Sequence, residues 1–459
     1  MSEEVILQSI IGGIVFISAV LVLVMQPGFM LLESGVMSSR NVLNNIFKNI
    51  ADLCIVATGF IFFGFDIIDG SSPLTPFLES LGGLITPRIP EPGDPTAVSA
   101  TAEIGIFFQA VFAATAVTIC SGSVSGRILP LPYLIFSFVF GSLIYPSIAF
   151  HVWNPSGALY GVFIDFAGSM IVHGVGGFAG LAGAMILGPR LGRCGYYGGI
   201  GREHAEMLAA RHKQNNVPLA ALGVFLLWIG WYGFNGGTVF AGAIAADGLA
   251  ATFDTFGIVI INTTIAPATA VIAVLLISFS GALGERIYLT NILNGILTGL
   301  VGITAACDVL SVGQSAVVGV ISGVLYVVAQ EALLRLRIDD PVGAFPVHGV
   351  GGVVGVLAVA LAGDGLIAGD VLATQLQYGL LIAAISFACA YACFFISGVL
   401  GLMLAPSILG GRMRVEEADD GPEAAGSVIR RNIRYGANFE RTGLDLAVHG
   451  QRAYNIGSE

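Results

Sequence analysis

The chain has 459 residues, of which 55% are hydrophobic and only 11% are charged, and its net charge is -11. A water-soluble domain carries about 25% charged residues, so the composition excludes one and indicates an integral membrane protein. The negative net charge offers no basic surface, so we expect no nucleic-acid partner.

Eleven apolar segments approach or exceed the length of about 20 residues that a helix needs to cross a hydrocarbon core of roughly 30 Å. In chain order they are residues 5–26, 42–65, 104–121, 128–150, 161–188, 217–238, 256–281, 287–305, 312–334, 346–362 and 376–405. The alternating ten-residue pattern of a membrane barrel is absent. We therefore predict an all-α integral membrane protein with eleven transmembrane helices.

Lys and Arg residues set the predicted topology, because positive residues near helix ends stay on the cytoplasmic side. With the N-terminus outside, Arg88 alone of the twelve Lys and Arg residues before residue 406 lies outside. The other eleven are Arg40, Lys48, Arg127, Arg190, Arg193, Arg202, Arg211, Lys213, Arg286, Arg335 and Arg337. This pattern predicts a membrane domain over residues 1–405 and a cytoplasmic tail over residues 406–459.

One sequence pattern occurs twice, as DFAGSMIVHGVGG at Asp165–Gly177 and as DPVGAFPVHGVGG at Asp340–Gly352. Each copy places a histidine, His173 or His348, eight residues after its aspartate. Ionisable groups inside a membrane usually face a cavity and mark a pathway. The alternative is that HGVGG is only a glycine-rich packing face.

The repeat divides the membrane domain into two halves, because the histidines fall in the fifth and tenth segments. Residues 5–188 and 217–362 are then halves of five helices each, and residues 376–405 form the eleventh helix. Because five is odd, the second half runs inverted. Transporters built from inverted repeats carry their functional site near the bilayer midplane, where the halves meet.

Six motifs, in order along nearly the whole chain, resemble the ammonium transporter family (Amt/Mep/Rh), and more its Amt branch than its Rh branch. They are MQPGFMLLESGVMSSRNV, FFQAVFAATAVTICSGSVSGR, DFAGSMIVHGVGG, IGWYGFNGG, FPVHGVGGVVG and GLDLAVHGQRAY. The resemblance implies eleven helices per subunit, a homotrimer and one pore through each subunit. It also implies a PII-type signalling protein as a cytoplasmic partner.

The resemblance assigns roles to individual residues. Those at the outer recruitment site are Trp153, Thr238, Phe112, Asp165 and Trp231. The stacked aromatic gate is formed by Phe112 and Phe234, and the pore and proton relay by His173 and His348. Core packing remains the alternative for the Phe pair, and membrane-interface anchoring for Trp153.

Asp165 and Asp340 each have a structural alternative. A buried carboxylate is costly without partners, so Asp165 is expected either to hold an unwound segment or to favour a cation and assist removal of its proton. Asp340 begins an Asp-Pro pair, where a role in starting the tenth helix is equally expected.

The function that the resemblance implies has a physical basis. An aromatic mouth attracts ammonium by cation–π interaction, whereas a bare cation in a dry channel is very costly. Ammonium can lose a proton, so neutral ammonia can pass the neutral imidazoles. We predict an ammonium transporter rather than an enzyme, with no cofactor, metal or catalytic residue; an ammonium sensor acting through a partner and a neutral ammonia or carbon dioxide channel stay open.

Three positions depart from the family pattern. Thr238 stands where many relatives have a serine, which adds a methyl group at the recruitment site. Gly126 replaces a common Glu, and Gly343 lies where a carboxylate often precedes the tenth-helix motif. Both glycines are predicted on the cytoplasmic side, so these two departures concern helix ends or regulation.

Overall fold

The computed structural model describes residues 3–70, 100–194, 214–242, 248–282, 287–362, 368–408, 433–435 and 437–454. Its apolar helices are α1 (Glu3–Val36), α2 (Val42–Ile68), α3 (Ala100–Val124), α4 (Pro130–Trp153), α5 (Ser169–Leu187), α6 (Val217–Gly242), α7 (Gly248–Phe279), α8 (Leu289–Ile303), α9 (Val312–Arg335), α10 (Phe345–Leu361) and α11 (Gly369–Ile408). Two short helices come after them, α12 (Ala437–Thr442) and α13 (Leu444–His449).

Nine of the helices in the described ranges are long and apolar enough to cross a membrane, and α8 and α10 are shorter apolar helices. Together they correspond one to one with the eleven predicted segments, so the all-helical fold is confirmed. The first boundary differs: α1 continues through Pro27 to Val36 instead of ending at residue 26. Proline is tolerated in membrane helices because neighbouring groups satisfy the freed backbone.

The predicted start of α5 at residue 161 is wrong by eight residues. Gly168 has φ +101°, a left-handed conformation that glycine adopts readily and that a continuous helix forbids. The carboxylate of Asp165 then accepts hydrogen bonds from the backbone N–H groups of Gly168, Ser169, Met170 and Ile171, at 2.7–3.1 Å. These are the first donors of a helix, which have no partner within it. Asp165 therefore fixes where α5 begins.

The start of α10 repeats this arrangement in shorter form. Asp340 Oδ2 accepts a hydrogen bond from the backbone N–H of Phe345, the first residue of α10, at 2.8 Å. Both α5 and α10 open with a wide π-helical turn, Ser169–Gly174 and Phe345–Val350, and each turn carries its histidine. The two halves thus present their histidines at matched places in the fold.

Glycines of the HGVGG motifs let α5 and α10 cross closely. A Cβ on Gly177 would collide with the backbone nitrogen of Gly349, and one on Gly352 would lie 2.6 Å from the carbonyl oxygen of Ser169. No side chain fits at such distances. The glycines are therefore a packing face, and this packing is what brings the two histidine turns together.

The C-terminal helices mark one end of the bundle, which we call the tail side. Asp445 accepts a hydrogen bond from the backbone N–H of Asn44 at the start of α2, at 3.0 Å. Arg434 donates to the carbonyl oxygen of Leu187 at the end of α5, at 2.9 Å, and also bonds Glu440. The opposite end, where α4 finishes, is called the Trp153 side.

A buried ion cluster ties the ends of α3, α5 and α9 together at the tail side. Arg190 bonds both carboxylate oxygens of Asp339 at 2.8 Å, and Arg127 donates to the Asp339 carbonyl oxygen at 2.7 Å. Burial alone would raise the pKa of Asp339, but the Arg190 guanidinium prevails and holds that pKa well below its ordinary value. Asp339 is therefore charged at neutral pH.

Candidate functional site

Trp153 is the outermost ring of an aromatic column that descends through the bundle. Its indole N–H donates to the backbone carbonyl of Asp165 at 2.8 Å, which fixes the orientation of the ring. The side chain is partly exposed, and its ring lies 6.4 Å from that of Phe112 at an angle of 62°. A fixed and accessible indole face is suited to cation–π attraction.

Thr238 lies one helical turn beyond Phe234 in α6, towards the Trp153 side. Its hydroxyl donates to the carbonyl oxygen of Phe234 at 2.9 Å. A hydroxyl that donates to the backbone keeps its oxygen lone pairs available to accept a further bond. The side chain is partly exposed, so the hydroxyl fits the predicted recruitment role, and its added methyl group reduces the space there.

Phe112 and Phe234 separate this mouth from the interior. Their rings stack face to face with centroids 3.9 Å apart and an interplanar angle of 4°, and both side chains are buried. Phe108 packs on Phe112 from one side at 4.5 Å. The pair therefore occupies the position between Trp153 and the histidines that a gate requires.

His173 and His348 lie directly beneath the Phe pair. The ring of His173 lies 5.1 Å from that of Phe234 and 5.3 Å from that of His348, and the two imidazoles are nearly parallel at 22°. Neither nitrogen of His173, nor Nδ1 of His348, has a hydrogen-bond partner within the described part of the chain. Buried polar atoms nearly always have one, so the two rings present donor and acceptor sites to something that passes between them.

Trp231 lies deeper than the outer mouth at which it was predicted. It is fully buried, stacks on His173 at 4.6 Å and 17°, and donates its indole N–H to Thr304 Oγ1 at 2.8 Å. Because α6 rises towards the Trp153 side, residue 231 sits below residue 234, on the histidine side of the gate. Trp231 is thus a support for the His173 ring, and Thr304 is a residue that sequence reasoning missed.

The carboxylate of Asp165 is fully occupied by hydrogen bonds from backbone N–H groups. Both of its oxygens accept two N–H groups each, and it is only 3% exposed. Its carbonyl oxygen holds Trp153. Asp165 therefore positions the mouth and α5 together, and its negative charge lies beneath Trp153.

Known proteins resemble this chain over most of its length. The family model described as Ammonium Transporter Family matches residues 13–423. The chain belongs to this family. A candidate ammonium transporter of Synechocystis is 36% identical over 437 residues, which covers 95% of this chain and 87% of that protein. The ammonium transporter Amt2 of Haloferax mediterranei is 33% identical over 454 residues, covering 95% and 87%.

Solved structures of other family members have the same fold. A sensor Amt protein is 30% identical and superposes with a TM-score of 0.73, covering 97% of this chain and 99% of that one. Mep2 of Candida albicans superposes with a TM-score of 0.69 over 93% of this chain and 94% of that one, at 23% identity. The latter likeness concerns the fold alone.

Beyond the histidines, this family member has a cavity on the tail side of His348. Residues of α1, α3, α8 and α10 line it, including Phe29, Glu33, Thr118, Asn294 and Gly343. Gly343 has φ +76°, so the absence of a side chain at this departure from the family pattern suits the backbone. The cavity continues the column from the histidines towards the tail side.

Sequence reasoning also missed the charges beside this cavity. Lys48 was counted as a residue of the cytoplasmic side, but it is only 4% exposed and lies 3.3 Å from Glu33. Asp52, one turn after Lys48, is fully buried. A signal was present, since a lysine and an aspartate four residues apart inside an apolar segment indicate a functional or paired site.

Proposed function

We propose that this chain transports ammonium by recruiting the cation at Trp153, removing its proton and conducting ammonia past His173 and His348. The observation that carries the proposal is the unbroken column Trp153, Phe112, Phe234, His173 and His348, with neighbouring ring centroids 3.9–6.4 Å apart. A column of this kind attracts a cation at one end and has no charged group in its middle.

The chemistry depends on the polarity of the column. Trp153 contributes cation–π attraction of about 0.5–2 kcal/mol, and the Asp165 carboxylate beneath it adds negative charge. Within the column, a bare cation would lose its hydration without compensation. Ammonia is neutral and can both donate to and accept from imidazole nitrogens. Potassium ions cannot lose a proton, so the same column rejects them.

The proposed orientation places the Trp153 side outside the cell and the tail side in the cytoplasm. The Lys and Arg count supports it, because eleven of the twelve such residues before residue 406 then lie inside. Residues 202–213 and 286, which contribute to that count, lie outside the described residues, as does Arg88. We also propose a homotrimer and a PII-type cytoplasmic partner, both on the resemblance to the family.

Uptake of radiolabelled methylammonium into cells that lack their own ammonium transporters tests the proposal. Wild type should restore uptake and His173→Ala should abolish it, since the imidazole next to the gate is lost. His151→Ala is the control, because His151 is an exposed histidine at the end of α4. Equal uptake by His173→Ala and wild type would refute the role of the histidine pair.

Ammonium sensing is a second candidate function, favoured by the likeness to the sensor Amt protein. Transport and sensing share the recruitment site and differ in whether ammonium leaves it through the column. A sensor would bind ammonium, seen as a change in tryptophan fluorescence, without restoring uptake. A neutral ammonia channel would restore uptake without carrying charge.

A further inference from the structure

A buried cluster of three charged side chains borders the tail-side cavity. Glu33 of α1, Lys48 of α2 and Asp52 of α2 are 2%, 4% and 0% exposed. Lys48 Nζ lies 3.3 Å from Glu33 Oε2, donates to the Ser121 carbonyl oxygen at 2.7 Å and bonds Ser125 Oγ. All the donors of the lysine are thereby used within the cluster.

Hydroxyl groups complete the cluster. Ser121 of α3 and Ser125, which directly follows α3, each donate to one Glu33 carboxylate oxygen at 2.8 Å. Tyr133 of α4 donates to Asp52 Oδ2 at 2.5 Å, and Asp52 Oδ1 has no hydrogen-bond partner among the described residues. Four helices thus hold the cluster together, and hydroxyls can both donate and accept protons.

With both carboxylates ionised, the cluster carries one uncompensated negative charge. Two carboxylates face one ammonium group, and the other members, Ser121, Ser125 and Tyr133, are neutral when protonated. An unpaired buried charge is costly, whereas one added proton makes the whole cluster neutral. The charge count therefore makes this cluster a place that accepts a single proton.

The cluster lies next to the histidine pair, across the tail-side cavity. Phe29 packs against the His348 ring at 6.1 Å, and Glu33 comes one turn later in α1, about 6 Å further towards the tail side. His348 and Glu33 both line the same cavity, which has room for roughly one or two water molecules. A water molecule there can join the imidazole to the carboxylate.

We propose that Glu33 is a proton-relay residue, which receives the proton removed from ammonium after it has passed along the histidine pair. This proposal rests on the transport function proposed above. In the step, an N–H bond of the protonated imidazole at His348 breaks, and an O–H bond at the Glu33 cluster forms, with water in the cavity carrying the proton between them. The proton then leaves towards the tail side, where ammonia becomes ammonium again.

Ammonium-evoked current in proteoliposomes of the full chain tests the relay. Glu33→Gln keeps the shape and one acceptor oxygen, and the serine hydroxyl that meets its NH2 group can turn to accept, but the amide cannot hold the transferred proton. Its current should fall by roughly a hundredfold, the lower end of what proton transfer by a positioned group contributes. Glu33→Asp should restore a substantial part of the current. Glu331→Gln is the matched control, because Glu331 is an exposed glutamate of α9 paired with Arg335.

Two further readouts separate a relay from a packing role. The ratio of the current in water to the current in deuterium oxide should be larger for Glu33→Gln than for wild type. The midpoint of the fluorescence titration with ammonium should stay unchanged. Asp52→Asn removes the uncompensated charge but can keep its bond to Tyr133, and its current should fall too. If Glu33→Gln does not fold, the current of Asp52→Asn tests the relay in its place.

Several outcomes would overturn the relay. The relay is wrong if Glu33→Gln carries the wild-type current. If Glu33→Gln does not fold, the relay is wrong if Asp52→Asn carries the wild-type current. Equal losses in Glu33→Gln and Glu33→Asp with an unchanged isotope ratio would assign Glu33 a packing role instead. In all of these cases wild type still carries ammonium, whereas a wild type without current and without uptake contradicts the proposed function itself.

Discussion

Replacing Asp165 by asparagine should destabilise the protein strongly. The carboxylate accepts four backbone N–H groups, two on each oxygen, and is 3% exposed, so water cannot replace it. The asparagine amide keeps one oxygen and turns an NH2 group towards the other two donors. Hydrogen bonds to a charged group contribute about 1.5–3 kcal/mol each, so losing two costs about 3–6 kcal/mol of the free energy of unfolding.

Asp340→Asn is the matched control for this change. Asp340 stands at the equivalent place in the other half and bonds the backbone N–H of Phe345 through Oδ2. The asparagine oxygen can keep that single bond, so this change should cost clearly less than the loss of two bonds at Asp165. Thermal unfolding of the purified protein in detergent, followed by intrinsic fluorescence, should therefore give a clearly lower midpoint for Asp165→Asn than for Asp340→Asn.

One result would refute the capping role of Asp165. If Asp165→Asn unfolds at the wild-type temperature and yet loses ammonium uptake, the carboxylate does not hold the start of α5 in place. Asp165 would then act on the substrate alone. If both stability and uptake fall, the loss of uptake results from displacement of Trp153, which the Asp165 carbonyl oxygen holds.

Two further changes test the surroundings of the column. Arg190→Ala leaves Asp339 buried and without its bidentate partner, which should cost about 3–5 kcal/mol in unfolding experiments. Because the pKa of Asp339 is lowered in the folded state, the stabilisation is fully present above its unfolded pKa of about 4 and declines as the pH falls below it. The free energies of unfolding of wild type and Arg190→Ala should therefore differ by the same amount at pH 6 and pH 8. A difference that vanishes at these pH values contradicts the pairing. Trp231→Phe removes the bond to Thr304 and should reduce methylammonium uptake several-fold, whereas unchanged uptake would show that His173 needs no support from the indole.

Much of the fold could be predicted from the sequence, because a membrane-spanning helix requires a long apolar segment and little else. The boundaries were harder where polar groups decide them. Residues 161–168 are as apolar as a helix, and only the Asp165 carboxylate with the positive φ of Gly168 excludes them from α5. Such a cap depends on a backbone conformation that hydropathy does not contain.

The candidate site divides in the same way. The histidine pair could be predicted because the repeated HGVGG motif places both residues in equivalent turns. The depth of Trp231 could not, because it depends on the rotation of α6 against α5 and α8. Glu33 was missed because α1 was expected to end before it. Lys48 and Asp52, however, are charged residues within the predicted segment 42–65 and could have indicated the cluster.

Ammonium, unlike sodium and potassium ions, is proposed to enter the column and to deliver charge across the membrane. Solid-supported-membrane electrophysiology on purified protein in liposomes tests it directly, with pulses of ammonium, sodium and potassium on wild type and His173→Ala. We expect a transient current for ammonium alone in wild type, and none in the variant. Equal currents with potassium, or no ammonium current while fluorescence still reports ammonium binding, would contradict it.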